Sequence, residues 1–400
     1  MSSAAQIRSF AVPPDLAADM RHLRTRALAI GVAALALCLI GAFFNADQFF
    51  RSYLWCYMFY IGVALGSTAL LMLQYMTGGA WGMVIRRPCE AASRTLPLLL
   101  ILFLPIALGI PRLYRWSHAE LVAHDPVLLH KAVYLNVPFF VTRAAVYFAG
   151  WLLIAHLLYK WSGEQDRGDV GAARRMSMIS GPGLVFYGFS VTFMAIDWIL
   201  SLDPHWFSTM FGLLFIAGEG LSALAFLICV LVVLNNQPPL AGALTHRHLH
   251  DVGKLLLTFV MVWAYFSFSQ FLIIWAGNLP DEIPWYLERL RGGWGYIGLS
   301  LVFLHFALPF ALLLSRDIKR NFKLLRAVAV LVLFMRFVDL YWLTAPDFRK
   351  GHFGVSWMDF LAPVGLGGIW LATFLWQLER RPLMPVGDPE LEEALEHGRE

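Results

Sequence analysis

The stretch FGLLFIAGEGLSALAF (Phe211–Phe226) decides the fold class of this chain. It is almost entirely apolar, and the apolar run continues to Leu234. A helix needs about 20 such residues to cross a hydrocarbon core of ~30 Å. Blocks of this kind recur along the whole chain, with short polar stretches between them. Because backbone groups in lipid must form their hydrogen bonds within the segment, the blocks predict transmembrane helices.

The composition excludes several other classes of protein. Of the 400 residues, 59% are hydrophobic and 14% are charged, whereas a soluble domain needs a more polar surface. The net charge of +4 is spread over many loops, so nucleic acid is not an expected partner. No CxxC or CxxCH motif occurs, so we expect the chain itself to bind no metal, iron–sulfur cluster or c-type haem. The isolated cysteines are Cys38, Cys56, Cys89 and Cys229.

The apolar blocks predict an all-α integral membrane protein with about ten transmembrane helices. Lys and Arg are concentrated in the terminal segments and in alternate loops, around Arg86, Arg174, Arg247 and Lys319. The positive-inside rule places this richer set in the cytoplasm and the poorer set, which includes Lys350, outside. An even number of spans then puts both termini in the cytoplasm. The helices are expected near residues 27–44, 53–76, 96–110, 134–159, 183–201, 207–234, 255–276, 294–315, 324–343 and 357–377.

The loops are too short to hold a soluble catalytic domain, so any such domain would be another subunit. The most distinctive outer loop is GNLPDEIPWYLERLRGG (Gly277–Gly293). Trp285, Leu287 and Leu290 give it enough apolar surface to lie on the membrane as an interfacial helix. A docking ledge for a peripheral partner is the alternative interpretation.

Two span ends share a short internal similarity. Asp197 in AIDWILSLDPHW and Asp339 in FVDLYWLTAPDF each lie inside the outer end of a span, before a turn that contains aromatic residues and proline. A duplication of four spans would explain the match. The match is short, and the alternative is coincidence.

Ionisable residues inside the predicted spans are the candidate functional residues, because a charge in lipid costs several kcal/mol unless it is paired or hydrated. Glu219 lies near the middle of the sixth span, between Gly218 and Gly220. These small neighbours let another helix or water approach the carboxyl group. Glu219 is therefore predicted either to exchange protons or to be a neutral acid that is hydrogen-bonded to a facing helix.

Two pairs of opposite charges are predicted inside the membrane. Arg143 in the fourth span and Asp197 in the fifth lie at similar depth, and neighbouring helices can bring them together. Arg336 and Asp339 lie three residues apart on the ninth span, so they share one helix face. Each pair is either a structural bridge or part of a proton relay.

Three further residues lie in or at the ends of spans. His305 and His156 lie within the eighth and fourth spans. They could clamp a haem, although a buried histidine more often hydrogen-bonds or relays protons. Lys254 opens the seventh span, where it either extends to the interface or begins a polar track.

Three long stretches closely resemble the F subunit of bacterial alternative complex III, the second large NrfD-like membrane subunit of a quinol:cytochrome c oxidoreductase. The similarity extends from about residue 50 to LEEALEHG (Leu391–Gly398). The stretches are YMFYIGVALGSTALLMLQYMTGGAWGMVIRR (Tyr57–Arg87), SGPGLVFYGFSVTFMAIDWILSLDPHWFSTMFGLLFIAGEGLSALAF (Ser180–Phe226) and LTHRHLHDVGKLLLTFVMVWAYFSFSQFLIIWAGNLPDEIPWYL (Leu244–Leu287).

The resemblance implies a particular arrangement of the helices. It implies two four-helix bundles plus two additional helices, in the bacterial inner (plasma) membrane. The corresponding segments are a cytoplasmic N-terminal segment (1–26), a first helix with its loop (27–52), the first bundle (53–203), the second bundle (204–344), a last helix (345–377) and a cytoplasmic tail (378–400).

The resemblance also implies a function. The chain would carry no redox centre, would scaffold the complex and would form a proton half-channel. Its partners would be a homologous quinol-oxidising membrane subunit, multihaem cytochrome c and iron–sulfur subunits on the outer face, lipids and a terminal oxidase; quinol is the substrate of the complex. The half-channel residues would be Glu219, Asp197, Arg143, His305, Arg336, Asp339, Lys254 and His156.

Two other functions stay open. The chain could be the quinol-oxidising membrane anchor of a related oxidoreductase, with Asp197, Asp203 and His205 forming a quinone site near the outer face. It could instead be an autonomous transporter that works without partners.

Overall fold

The computed structural model describes residues 10–241, 244–349 and 351–397. Lys350, predicted to lie in an outer loop, is outside these ranges. The ends of the two terminal segments are also outside them. Within the described ranges the regular structure is helical, with no strand. The ten long helical segments are α1 (Pro14–Phe44), α2 (Ala46–Thr77), α3 (Ala80–Leu108), α4 (Val137–Asp166), α5 (Gly171–Trp198), α6 (Phe211–Leu234), α7 (His246–Gly277), α8 (Trp294–Leu314), α9 (Phe322–Phe348) and α10 (Met358–Leu378).

Nine helical segments of the described chain are long and apolar enough to cross a membrane. This confirms a multi-pass, all-helical membrane protein. The tenth long helix, α9, is not one of the nine; it carries Arg336 and Asp339 in its interior. Nine of the about ten predicted spans are therefore supported, and a membrane-spanning role for α9 stays a prediction.

Helices α2 and α6 form the centre of the molecule. The most apolar windows of these two helices are 83% and 72% buried, more than those of the other spans. Helix α2 contacts α3, α5, α6, α9 and α10, and α6 also contacts α7. The division into two four-helix bundles stays a prediction.

Helix α1 packs mainly on α10, and most of its remaining surface is exposed. The two backbones touch where Gly31 meets Gly365 and Gly368, since a Cβ at Gly31 would overlap the backbone of α10. Small residues of this kind let membrane helices approach closely.

Helix α3 begins at Ala80, 16 residues before the predicted start, so the prediction of a loop around Arg86 was wrong. Arg86 and Arg87 lie within the helix Ala80–Ser93 and are buried. The segment is polar because its charged residues bond to other parts of the protein interior, so its sequence does not stand out as an apolar block.

Helix α8 contains a π-helical segment, Leu301–Ala307. Pro309 lies two residues after this segment and lacks the N–H group that would bond to the carbonyl of His305 in a regular helix. Local widening of this kind is frequent at functional sites. The π-helical segment includes His305.

The loop at Gly277–Gly293 forms the predicted short helix, Ile283–Leu290. Trp285 does not lie on the membrane, however: it is buried and stacks on Trp206, with 4.2 Å between ring centroids. Arg289 is also buried and donates to Asp347 at 2.8 Å. The helix is thus fastened to the protein through two of its residues.

Candidate functional site

Glu219 is buried at the crossing of α2 and α6. Gly66 of α2 lies directly on its backbone, since a Cβ at Gly66 would overlap the carbonyl group of Glu219. Gly62 lies one turn away, and a Cβ there would be 3.3 Å from Cγ of Glu219. The small residues of α2 therefore hold the glutamate close to a second helix rather than in contact with lipid.

Glu219 has one oxygen with a partner and one without. The hydroxyl group of Tyr187 on α5 donates to Oε2 at 2.8 Å. Oε1 is buried and has no hydrogen-bond partner among the described residues. A carboxyl group with a free, buried oxygen can accept a proton or a water molecule at that atom.

Arg336 and Asp339 form the predicted pair on α9. The two side chains are in direct contact and both are buried. Asp339 also accepts from Nε1 of Trp263 on α7 at 3.1 Å. The guanidinium group of Arg336 lies against Gly218 of α6, where a Cβ would overlap it.

His305 completes this group from α8. Its ring contacts the ring of Trp263 edge to face, with 4.3 Å between centroids. The side chain is fully buried, and neither ring nitrogen has a hydrogen-bond partner in the described part of the chain. We call the whole group the central cluster; its members are Glu219, Tyr187, Arg336, Asp339, Trp263 and His305.

Arg143 and Asp197 form a separate outer pair. Nε and a terminal nitrogen of Arg143 donate to the two carboxylate oxygens of Asp197 at 2.8 and 2.9 Å. Tyr147 donates to the same carboxylate at 2.8 Å. The guanidinium group also stacks on the ring of Tyr134, 3.8 Å from its centroid. Such full pairing is what a structural bridge requires.

Two predicted pathway residues lie away from both groups. His156 is exposed on the outer surface of α4. Lys254 is exposed at the start of α7 and pairs with Asp251 at 3.1 Å. Neither contacts the central cluster, because both point outward from their helices.

The predicted quinone-site residues are not brought together with Asp197. His205 contacts Asp125 at 2.7 Å and lies 3.9 Å from Asp203. Burial acts to raise the pKa of Asp125, but hydrogen bonds from Leu128 N–H, His205 and Val127 N–H lower it below its usual range. The three side chains are partly exposed and form a small polar cluster.

A third ionic group was not predicted from the sequence. It links α3, α4 and the C-terminal tail around the buried Glu90, which accepts from Arg87 at 2.7 Å and from Ser162 at 2.6 Å. The sequence signal was available, since Arg86 and Arg87 precede Glu90 by four and three residues on a helix. We call it the arginine network; its members are Arg86, Arg87, Glu90, Ser162, Gln165, Asp166, Arg381 and Asp388.

No three His, Cys, Asp or Glu side chains gather into a metal-binding group in the described ranges. No family model and no curated protein matches this chain. The class that the fold defines is a multi-pass, all-helical membrane protein.

Proposed function

We propose that this chain is a membrane subunit of a bacterial respiratory quinol:cytochrome c oxidoreductase of the alternative complex III kind. The resemblance of three long stretches to the F subunit supports the choice of complex. The short loops support a subunit role, since they leave the catalytic domains to partners. The complex would lie in the inner membrane.

The central cluster carries the proposed role within the complex. Six polar or ionisable side chains from α5, α6, α7, α8 and α9 meet in the interior of an apolar molecule. Three of their atoms have no hydrogen-bond partner among the residues that the structure describes. Groups of this kind inside a membrane commonly belong to ion or proton pathways. We therefore assign Glu219 and His305 to a proton half-channel, with Tyr187 and Arg336 as positioning residues.

The outer pair takes a structural role in this proposal. Both carboxylate oxygens of Asp197 accept hydrogen bonds from Arg143 or Tyr147, so neither oxygen is left without a partner as Oε1 of Glu219 is. In this proposal the chain itself carries no redox centre. The c-type haems and iron–sulfur clusters would belong to the outer-face partners, and quinol oxidation would belong to the homologous membrane subunit.

The test is purification of the complex through a tag on this chain in mild detergent, with an untagged strain as control. Multihaem cytochrome c and iron–sulfur proteins should co-purify, the haem spectrum should be positive, and the sample should reduce cytochrome c with quinol. Recovery of a lone, haem-free protein would overturn the proposal and favour a transporter.

The same preparation distinguishes the quinol-oxidising alternative. The variants Asp203→Asn and His205→Gln should leave quinol oxidation unchanged, because we place that reaction in the partner subunit. A loss of quinol oxidation with the subunits still assembled would move the quinone site to this chain.

A further inference from the structure

Five cations lie close together where α9 begins. Arg316, Lys319, Arg320, Lys323 and Arg326 fall within eleven consecutive positions, and Asp317 is the one acid among them. None of the five side chains makes an ion pair or a hydrogen bond to another side chain of the described chain. Other basic side chains, such as Arg87, Arg143 and Arg289, are paired with carboxylates.

The cations also crowd one another. The stem of Lys319 packs on Gly253 of α7. Burial, together with the charges of Lys254 and Arg316, lowers the pKa of Lys319 below its usual range. Like charges held together without counter-ions form a region of positive potential that attracts anions.

The exposed surface of α9 that follows these cations along the helix is apolar. Along one exposed face of α9, Lys323 is followed at spacings of three or four residues by Ala327, Val330 and Phe334, and Arg326 lies four residues before Val330. Val330 and Phe334 are 53% and 62% exposed. With a rise of about 1.5 Å per residue, Phe334 lies roughly 12 Å further into the membrane than Arg326.

This face therefore matches the two ends of a phospholipid. We propose that it binds an anionic phospholipid, with the phosphate at Lys323 and Arg326 and an acyl chain along Val330 and Phe334. Basic side chains at a membrane boundary attract anionic lipid headgroups. The apolar continuation favours a lipid over a soluble phosphate, which would use the cations alone.

The experiment compares dioleoyl phosphatidylglycerol with dioleoyl phosphatidylcholine. The full chain, or the complex that contains it, is delipidated in detergent, incubated with an equal mixture of the two lipids and gel-filtered, and bound lipid is measured by mass spectrometry. Wild-type protein should retain more phosphatidylglycerol. The variant K323Q/R326Q should reduce that retention about thirtyfold, the loss expected when two cations at the membrane boundary are removed, and should leave the retention of phosphatidylcholine unchanged.

Matched variants separate the site from general charge and from folding. R167Q/R174Q removes two exposed cations, one just after α4 and one in the first turn of α5, that are also predicted to lie on the cytoplasmic side. This variant should retain the lipid normally. K323R/R326K should also retain it, because both charges remain. Equal losses in K323Q/R326Q and R167Q/R174Q, or no lipid preference in wild-type protein, would overturn the proposal.

Sodium phosphate at the same molar concentration as the lipids distinguishes the source of the anion. It should leave phosphatidylglycerol bound, since it cannot use Val330 or Phe334. Displacement of the lipid by phosphate would assign the cations to a soluble anion and overturn the lipid site.

Discussion

Glu219 is the residue at which the proposed proton function can be tested most directly. Gln has nearly the same shape and still accepts a hydrogen bond from Tyr187, but its side chain cannot take or release a proton. In the purified complex, Glu219→Gln should therefore leave quinol oxidation and assembly intact and lower the number of protons moved per electron. Proteoliposomes with an internal pH dye measure this ratio.

The matched control for this change is Glu164→Gln. Glu164 lies at the end of α4, where it pairs with Arg175 at 2.9 Å outside the central cluster. It should leave the proton ratio unchanged. An unchanged ratio in Glu219→Gln would remove this residue from the half-channel.

The outer pair predicts a strong coupling between two residues. Asp197→Asn should destabilise the protein by about 3–5 kcal/mol, because Arg143 would remain buried without its counter-ion. The double variant Arg143→Met/Asp197→Leu should be much more stable than Asp197→Asn. Thermal unfolding can be followed with a thiol-reactive dye, since Cys56 and Cys89 are fully buried in the fold. In the cycle that includes the single variants Arg143→Met and Asp197→Leu, simple addition of the two single effects would contradict the pairing.

The charged members of the buried polar groups could be predicted from the sequence more readily than their neutral partners. Depth in a span predicted the Arg143–Asp197 pair, and spacing predicted the contact of Arg336 with Asp339. Tyr187 and Trp263 gave no such signal, because aromatic residues are ordinary in membrane helices. The outward direction of His156 could not be predicted either, since α4 is apolar on every side and its sequence does not mark the buried face.

At the level of helices, the contact between α2 and α6 depends on Gly66. Gly66→Ala should destabilise the protein by about 1–3 kcal/mol, because the added Cβ would overlap the backbone of Glu219 and push the helices apart. The same dye-based unfolding measurement applies.

Gly188→Ala is the matched control within a helix. A Cβ at Gly188 meets nothing within 4 Å, and alanine favours helix over glycine by about 1 kcal/mol. This variant should be as stable as wild type or more so. A stability of Gly66→Ala equal to that of Gly188→Ala would show that the α2–α6 contact tolerates the added methyl group.

The error in α3 has a physical cause that concerns the whole element. Hydropathy measures how well a segment dissolves in lipid, whereas Ala80–Ser93 is surrounded by protein and carries its own counter-charges. Arg86 and Arg87 are neutralised by Glu90, Asp166 and Asp388. A helix that is surrounded by protein rather than lipid does not need an apolar sequence, so hydropathy alone cannot predict it.

For the whole molecule, the distribution of Lys and Arg predicts orientation. In a background without the native cysteines, Arg174→Cys should react with a membrane-impermeant maleimide only after the membrane is opened. Asp281→Cys, at an exposed position before Ile283–Leu290, should react in intact cells. The reverse pattern of labelling would invert the predicted orientation.

The packing of α1 on α10 has a consequence for synthesis at the ribosome. The surface of α1 that receives Gly365 and Gly368 has no other helix to cover it until α10 has been made. At about 5–20 residues per second, the chain between these two helices takes on the order of tens of seconds to translate. During that interval α1 must remain in the bilayer with its glycine surface open to lipid or to the insertion machinery, and its final docking is a post-insertion step.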